Sequence, residues 1–175
     1  FPLSGDNEAK MHSVGRIPGT FQRRGARASE KASLTSTCID RPIRPLFPKD
    51  LRNDCSVVAT VMSVDPDCSP EIAAMIGVST AIAISDIPWD GPISGVNVGL
   101  VDGEIALNPT LEQRAKTDLN LTVASTADLV AMIEAGGNEI SDDLMFDCIM
   151  AGHEENKKIV KFIQGIVDEI GKPKF

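Results

Sequence analysis

The amino-acid sequence predicts an α/β (α+β) domain, a mixed sheet with helices packed on it, and three observations carry that expectation. Short runs rich in β-branched residues alternate with longer segments of helical character, the order that builds layered folds of both kinds. Asp102-Gly103 separates two such runs at hairpin spacing. The chain has 175 residues, 42% of them hydrophobic but only 4% aromatic, with no Tyr, so a single core of aliphatic side chains is expected.

Residues 1–27 read as irregular, because Gly5, Gly15, Pro18, Gly19 and Gly25 punctuate a polar stretch. Ser29 can cap a helix running to about Asp40, which Pro42 and Pro45 then end or bend. Cys55–Val64 reads as a strand, with Asp65-Pro66-Asp67 as the turn after it. Ser69 and Pro70 open a helix over Glu71–Ser85 that is apolar nearly all round and therefore expected to be buried. Pro88, Gly91 and Pro92 mark a loop, after which Ile93–Val101 and Glu104–Leu107 form the hairpin. Asn108-Pro109-Thr110 introduces a short helix through about Lys116. Leu119–Ala124 and Leu129–Glu134 are two further strands, the second closed by Gly136-Gly137-Asn138. Ser141 starts a helix, with Asp142 and Asp143 at its positive end. A last helix is expected from about His153 to Ile170, burying Ile159, Phe162, Ile163, Ile166 and Val167 on one face, with Gly171 and Pro173 beyond its end.

The net charge of −8 conceals an asymmetry: residues 1–52 hold ten basic and five acidic side chains and seven of the eight arginines. A basic segment on an acidic body points to a localised anion site, and Arg supplies the planar fork that suits phosphate. Cys38, Cys55, Cys68 and Cys148 form no Cys-x-x-Cys pair, and His12 and His153 lie far from any cysteine cluster. That spacing indicates neither a zinc site nor a disulfide framework, reads the cysteines as small buried apolar residues, and implies a reducing, cytoplasmic setting. The chain opens without Met, as a fragment or processed chain would, and shows no signal peptide. The longest apolar stretch, 72–84, is too short to span a bilayer, so no membrane partner is expected.

Two constellations have the chemistry to meet RNA. In Phe21-Gln22-Arg23-Arg24-Gly25-Ala26-Arg27 one aromatic stands beside three arginines: Phe21 is suited to stack on a base, and Arg23, Arg24 and Arg27 to neutralise phosphates. The alternative is a solvated basic loop with Phe21 in the core. In the string Ile39–Pro48, Arg41 and Arg44 share a face if residues 41–44 keep a helical turn, and two arginines on a Pro-stiffened turn can hold a phosphate. The alternative there is an ion pair from Asp40 to Arg41 or Arg44 that fixes the bend. Glu112 and Asp118, six residues apart, read better as a helix surface and a turn than as a metal pair, and both histidines as solvent-facing.

Several strings together resemble the polynucleotide phosphorylase family: Arg16-Ile17-Pro18-Gly19, Phe21-Gln22-Arg23-Arg24, the ten residues Ile39–Pro48, Ala73–Ser79, Ile87–Ile93, Asn108-Pro109-Thr110 and Gly152-His153-Glu154-Glu155. The resemblance covers essentially the whole chain and implies the family's first ribonuclease-PH-like core domain, of the ribosomal protein S5 domain 2-like fold, over residues 1–175. Its opening strands would be missing, and 153–175 would lead to a helical linker segment. It further implies a phosphate-dependent 3′-to-5′ exoribonuclease, a polyribonucleotide nucleotidyltransferase that degrades single-stranded RNA to nucleoside diphosphates and works as a homotrimer. Inorganic phosphate would be the co-substrate, and Mg²⁺ would be held by a second ribonuclease-PH-like repeat of the same chain. The family's phosphate-binding serines fall at Ser69-Pro70-Glu71 here, where Pro70 offers no N–H and Glu71 repels phosphate, so no catalytic or metal residue is expected in this repeat. RNA contacts would transfer to Phe21, Arg23, Arg24, Arg27, Arg41 and Arg44, with Gln22 standing where a second Phe is usual. The other reading the residues leave open is a non-catalytic RNA-binding or ring-scaffold subunit of an exosome-like assembly.

Overall fold

Among the residues that the computed structural model describes, 3–9, 15 and 30–175, six strands fall into two sheets. Strand β1 (Leu3–Ala9) pairs in parallel with β2 (Cys55–Val61), Leu3 opposite Cys55. Helix α1 (Glu30–Ile43) lies on the connection between them and packs on β1, as a parallel pair requires. Strands β3 (Ser94–Val101), β4 (Glu104–Leu107), β5 (Leu119–Ser125) and β6 (Val130–Gly137) make an antiparallel sheet in the order β4-β3-β5-β6. Helix α2 (Pro70–Ile84) packs on both β2 and β3, so a helix rather than strand pairing joins the sheets. Among the described residues the mixed sheet expected from sequence is divided into two, one parallel and one antiparallel.

Six further expectations are corrected. Residues 3–9, expected to be irregular, form β1: burial alternates along the strand, Asn7 inward and its neighbours outward, but the run lacks β-branched residues and is held by its pairing with β2. Helix α1 runs through Pro42 to Ile43 and continues as a 3₁₀ turn over Arg44–Leu46, because Pro42 and Ile43 are buried and the Trp89 indole N–H donates to the Ile43 carbonyl at 3.1 Å. Helix α2 buries one side only, with Met75, Val78 and Ile82 inward and Ala73, Gly77 and Ala81 exposed. The two terminal helices are one, α4 (Asp142–Ile170), about 43 Å long at 1.5 Å per residue. Gly152 does not break it. A Cβ there would meet Val98 and Val123 methyls at 3.1 Å, so the glycine lets α4 lie close on the sheet. His153 consequently sits in mid-helix and is buried at 5% exposure, not solvent-facing. Cys68, too, is exposed, whereas Cys55 and Cys148 are buried as expected.

The local signals that did fix structure are turn and cap chemistry. Asp102 and Gly103 take φ of 52° and 81°, the left-handed pair of a hairpin turn matched to strand twist. Thr110 and Gln113 form a reciprocal capping box on the short helix α3 (Leu111–Lys116). The last residues dock on α2: the Lys174 ammonium donates to the carbonyls of Ile82, Ala83 and Ser85 at 3.1, 2.8 and 2.6 Å, satisfying orphan acceptors at that helix end.

Strand alternation sorts the four-stranded sheet into unlike faces. Val96, Val98, Leu121 and Val123, at most 1% exposed, point to α4 and pack with Leu144, Met145 and Cys148. Asn97, Thr122 and Glu134 lie in register across β3, β5 and β6 on the opposite face. A second core, with Ile39, Ile43, Trp89 and Ile163, fills the space among α1, α2 and the far half of α4. The edge of β2 away from β1 has no strand partner among the described residues, and a groove of about 420 Å³ runs between β2 and α2.

Candidate nucleic-acid interface and adjoining cleft

Four of the six residues expected to meet RNA, Phe21, Arg23, Arg24 and Arg27, lie outside the described residues, as does His12. Arg41 and Arg44 stand near the end of α1, where the helical turn required to bring them together is present. Their side chains nevertheless divide. Arg44 donates from Nε and Nη2 to the two carboxylate oxygens of Asp40, at 2.9 and 2.8 Å, and from Nη2 to the Leu3 carbonyl at 2.9 Å. This is the ion-pair alternative: a forked contact that ties the bend to β1. Arg41 is exposed and makes no hydrogen bond or ion pair among the described residues. It shares its side of α1 with Cys38, three residues earlier, and its positive charge favours the Cys38 thiolate.

That side of α1 forms one wall of a cleft of about 490 Å³, of the size that takes a small molecule. Leu34 from α1 and Ile72 and Met75 from α2 give the walls apolar surface. The floor is polar, made by Asn97, Asn120, Thr122 and Glu134. Cys38 Sγ donates to Glu134 Oε2 at 3.0 Å, a link from helix to sheet. Burial, followed by the hydrogen bond to Glu134 and that carboxylate's charge, pushes the Cys38 thiol up to about 11. Thr122 Oγ1 donates to Asn97 Oδ1 at 2.9 Å. A Cβ on Gly136, beside Asn120 on the floor, would meet nothing within 4 Å.

The N-terminus of α2 opens on the same cleft and is already occupied by charge. Ser69 Oγ donates to Glu71 Oε2 at 2.9 Å, Pro70 takes the first helical turn without an N–H, and Lys31 pairs with Glu71 at 3.3 Å. A free phosphate would meet the Glu71 carboxylate there. Glu112 and Asp118 are both exposed, on α3 and in the turn before β5. Among the described residues no three His, Cys, Asp or Glu side chains converge as metal ligands.

The floor residues escaped the sequence reading, although their signal was present. Asn97 sits between Val96 and Val98, and Asn120 and Thr122 alternate with Leu119, Leu121 and Val123. Period-two alternation puts all the polar members on one face, and the hairpin then aligns them.

Residues 3–88 match the 3′ exoribonuclease family, domain 1, and residues 91–155 match domain 2 of that family. The boundary falls after α2, where the parallel pair gives way to the antiparallel sheet. Over all 175 residues the chain is 63% identical to the polyribonucleotide nucleotidyltransferase of Ruminiclostridium cellulolyticum. It is 58% identical to that of Clostridioides difficile over 99% of its length, and 56% identical to that of Oceanobacillus iheyensis over 100%. It spans about 25% of the length of each of these relatives. Among solved structures, the crystal structure of rice Rrp46 superposes with a TM-score of 0.72 at 13% identity, covering 95% of this chain and 72% of that one. That likeness extends to the fold.

Proposed function

Because the chain belongs to the 3′ exoribonuclease family, with both of that family's core domains in order, we propose that it serves a phosphate-dependent 3′-to-5′ exoribonuclease as its RNA-guiding, non-catalytic repeat. The observation that carries this reading is 56–63% identity along the whole chain to polyribonucleotide nucleotidyltransferases, combined with an α2 N-terminus that already holds Glu71 and Lys31. Residues 1–175 form the first ribonuclease-PH-like core domain, with 153–175 leading toward a helical linker. The complete enzyme works in the cytoplasm as a homotrimer, takes inorganic phosphate as co-substrate, and binds Mg²⁺ in a second repeat of the same chain. Arg41 offers an exposed guanidinium to the RNA backbone, and Phe21, Arg23, Arg24 and Arg27 complete the RNA path. Arg44 holds the turn that presents Arg41, with its own guanidinium shared between Asp40 and whatever phosphate approaches. Identity of this height to polyribonucleotide nucleotidyltransferases favours this reading over a scaffold subunit.

The test is release of nucleoside diphosphate from poly(A) with inorganic phosphate and Mg²⁺. The 175-residue chain should release none while still binding single-stranded RNA in a salt-dependent manner. Turnover by this chain alone, abolished by Glu112→Gln or Asp118→Asn, would place the active site here and overturn the reading.

A further inference from the structure

We propose that the cleft between α1 and the polar face of the four-stranded sheet is a binding site for a guanine base. This goes beyond an RNA-guiding role, since it assigns a base-selective site to a repeat read as non-catalytic, and it stands on the cleft's own chemistry.

The lining points to a heteroaromatic ligand with a hydrogen-bonding edge. The cleft measures about 490 Å³, and its apolar surface comes from Leu34, Ile72 and Met75 on two different helices. Its hydrogen-bonding groups converge from three adjacent strands. Asn97 and Glu134 stand on either side of Thr122 in one cross-strand row, their backbones roughly 10 Å apart at ordinary strand spacing. Apolar walls with a few converging polar groups are the pattern of small-molecule sites.

The charges exclude a bare phosphate. Lys31 is paired with Glu71, and the floor carries the Glu134 carboxylate. What that carboxylate selects follows from donor patterns. An ionised carboxylate only accepts, with about four lone-pair directions on its two oxygens. The Cys38 thiol uses one of them, on Oε2. Guanine is the base whose pairing edge presents two adjacent donors, N1–H and the 2-amino group, which a carboxylate accepts side by side. Adenine and cytosine place a ring lone pair next to their amino group, and uracil flanks its N–H with carbonyl oxygens. Each would set a lone pair against negative charge. Asn97 gives its Oδ1 to Thr122, so its amide N–H₂ is the group it presents to the guanine carbonyl. Arg41, exposed and on the Cys38 side of α1, puts a cation near the cleft wall that a nucleotide's phosphate can use.

Binding is measured by calorimetric titration of the 175-residue chain with 5′-GMP, 5′-IMP and 5′-AMP. GMP is expected to bind at least tenfold more tightly than IMP, which lacks the 2-amino donor, and than AMP. Glu134→Gln should abolish the preference for GMP over IMP and AMP. Gly136→Val, which puts a side chain into open space on the cleft floor, should weaken GMP at least tenfold with an unchanged thermal midpoint. The oligonucleotides U₄G and U₄A distinguish the source of the base. Tightening from GMP to U₄G assigns the site to a base of RNA, and equal affinity assigns it to a free nucleotide. Equal binding of GMP and AMP, no binding of GMP, or a GMP affinity untouched by Gly136→Val would overturn the proposal.

Discussion

Cys38 shows how one side chain can join two elements and carry a pH signature. Its thiol donates to Glu134, and burial with that carboxylate raises its pKa from 9.0 to about 11. The folded state therefore holds a proton that the unfolded chain releases first. Its contribution to stability is complete below about pH 9 and is lost as pH rises through about 11. Urea midpoints at pH 8, 9.5 and 10.5 should fall for the wild type and fall less for Cys38→Ala. An alkaline loss of equal size in both proteins would remove Cys38 as a cause. Burial raises Cys55 and Cys148 as well, so a residual slope is expected in the variant. None of this was visible in the sequence, where Cys38 is an isolated cysteine. Its partner lies 96 residues away, and only the pairing of β6 with β5 brings Glu134 within reach.

Glycine has opposite meanings at two positions of α4. At Gly152 an added Cβ would meet Val98 and Val123 at 3.1 Å, whereas at Gly165 it would meet nothing within 4 Å. Gly152→Val should destabilise by about 1–3 kcal/mol through overpacking. Gly165→Ala should stabilise by up to about 1 kcal/mol through helix propensity alone. Thermal melts of the two variants check both signs, and a neutral Gly152→Val would show that the helix–sheet seam has room to spare. The sequence invited a break at Gly152-His153 because glycine and a polar histidine resemble a helix boundary. The burial that keeps them inside the helix comes from β3 and β5, which local propensity does not report. Elements governed by local chemistry were legible: the Asp102-Gly103 turn and the capped helix after Thr110 stand where their residues placed them.

At the scale of the molecule, the alternation of strands and helices announced the layers but not the division into two sheets. Pairing partners are long-range choices: β2 takes β1, some fifty residues earlier, and leaves its other edge open among the described residues. The sequence placed Arg41 and Arg44 together as candidate RNA contacts, yet the structure separates their side chains. Arg41→Ala should weaken single-stranded RNA binding and lower its salt slope by roughly 1, as loss of one phosphate contact does. Arg44→Ala should in addition lower the melting temperature, because it breaks the fork to Asp40 and the contact with Leu3. Arg23→Ala combined with Arg24→Ala should flatten the salt dependence further. Filter-binding titrations across salt concentrations separate these cases, and an unchanged slope for Arg41→Ala would take it out of the RNA path.

Helix α4 belongs to both cores: Cys148 and Ile149 pack against the antiparallel sheet, Ile163 and Val167 against the core beneath α1 and α2, and Ile159 against both. A rod of this kind acts as a splint across a joint. Neither half can come apart while the splint stays helical, and the splint cannot melt without exposing both halves. The boundary between the two family domains is thus a seam in evolutionary bookkeeping that thermodynamics does not recognise, and the chain should lose its structure as one cooperative unit.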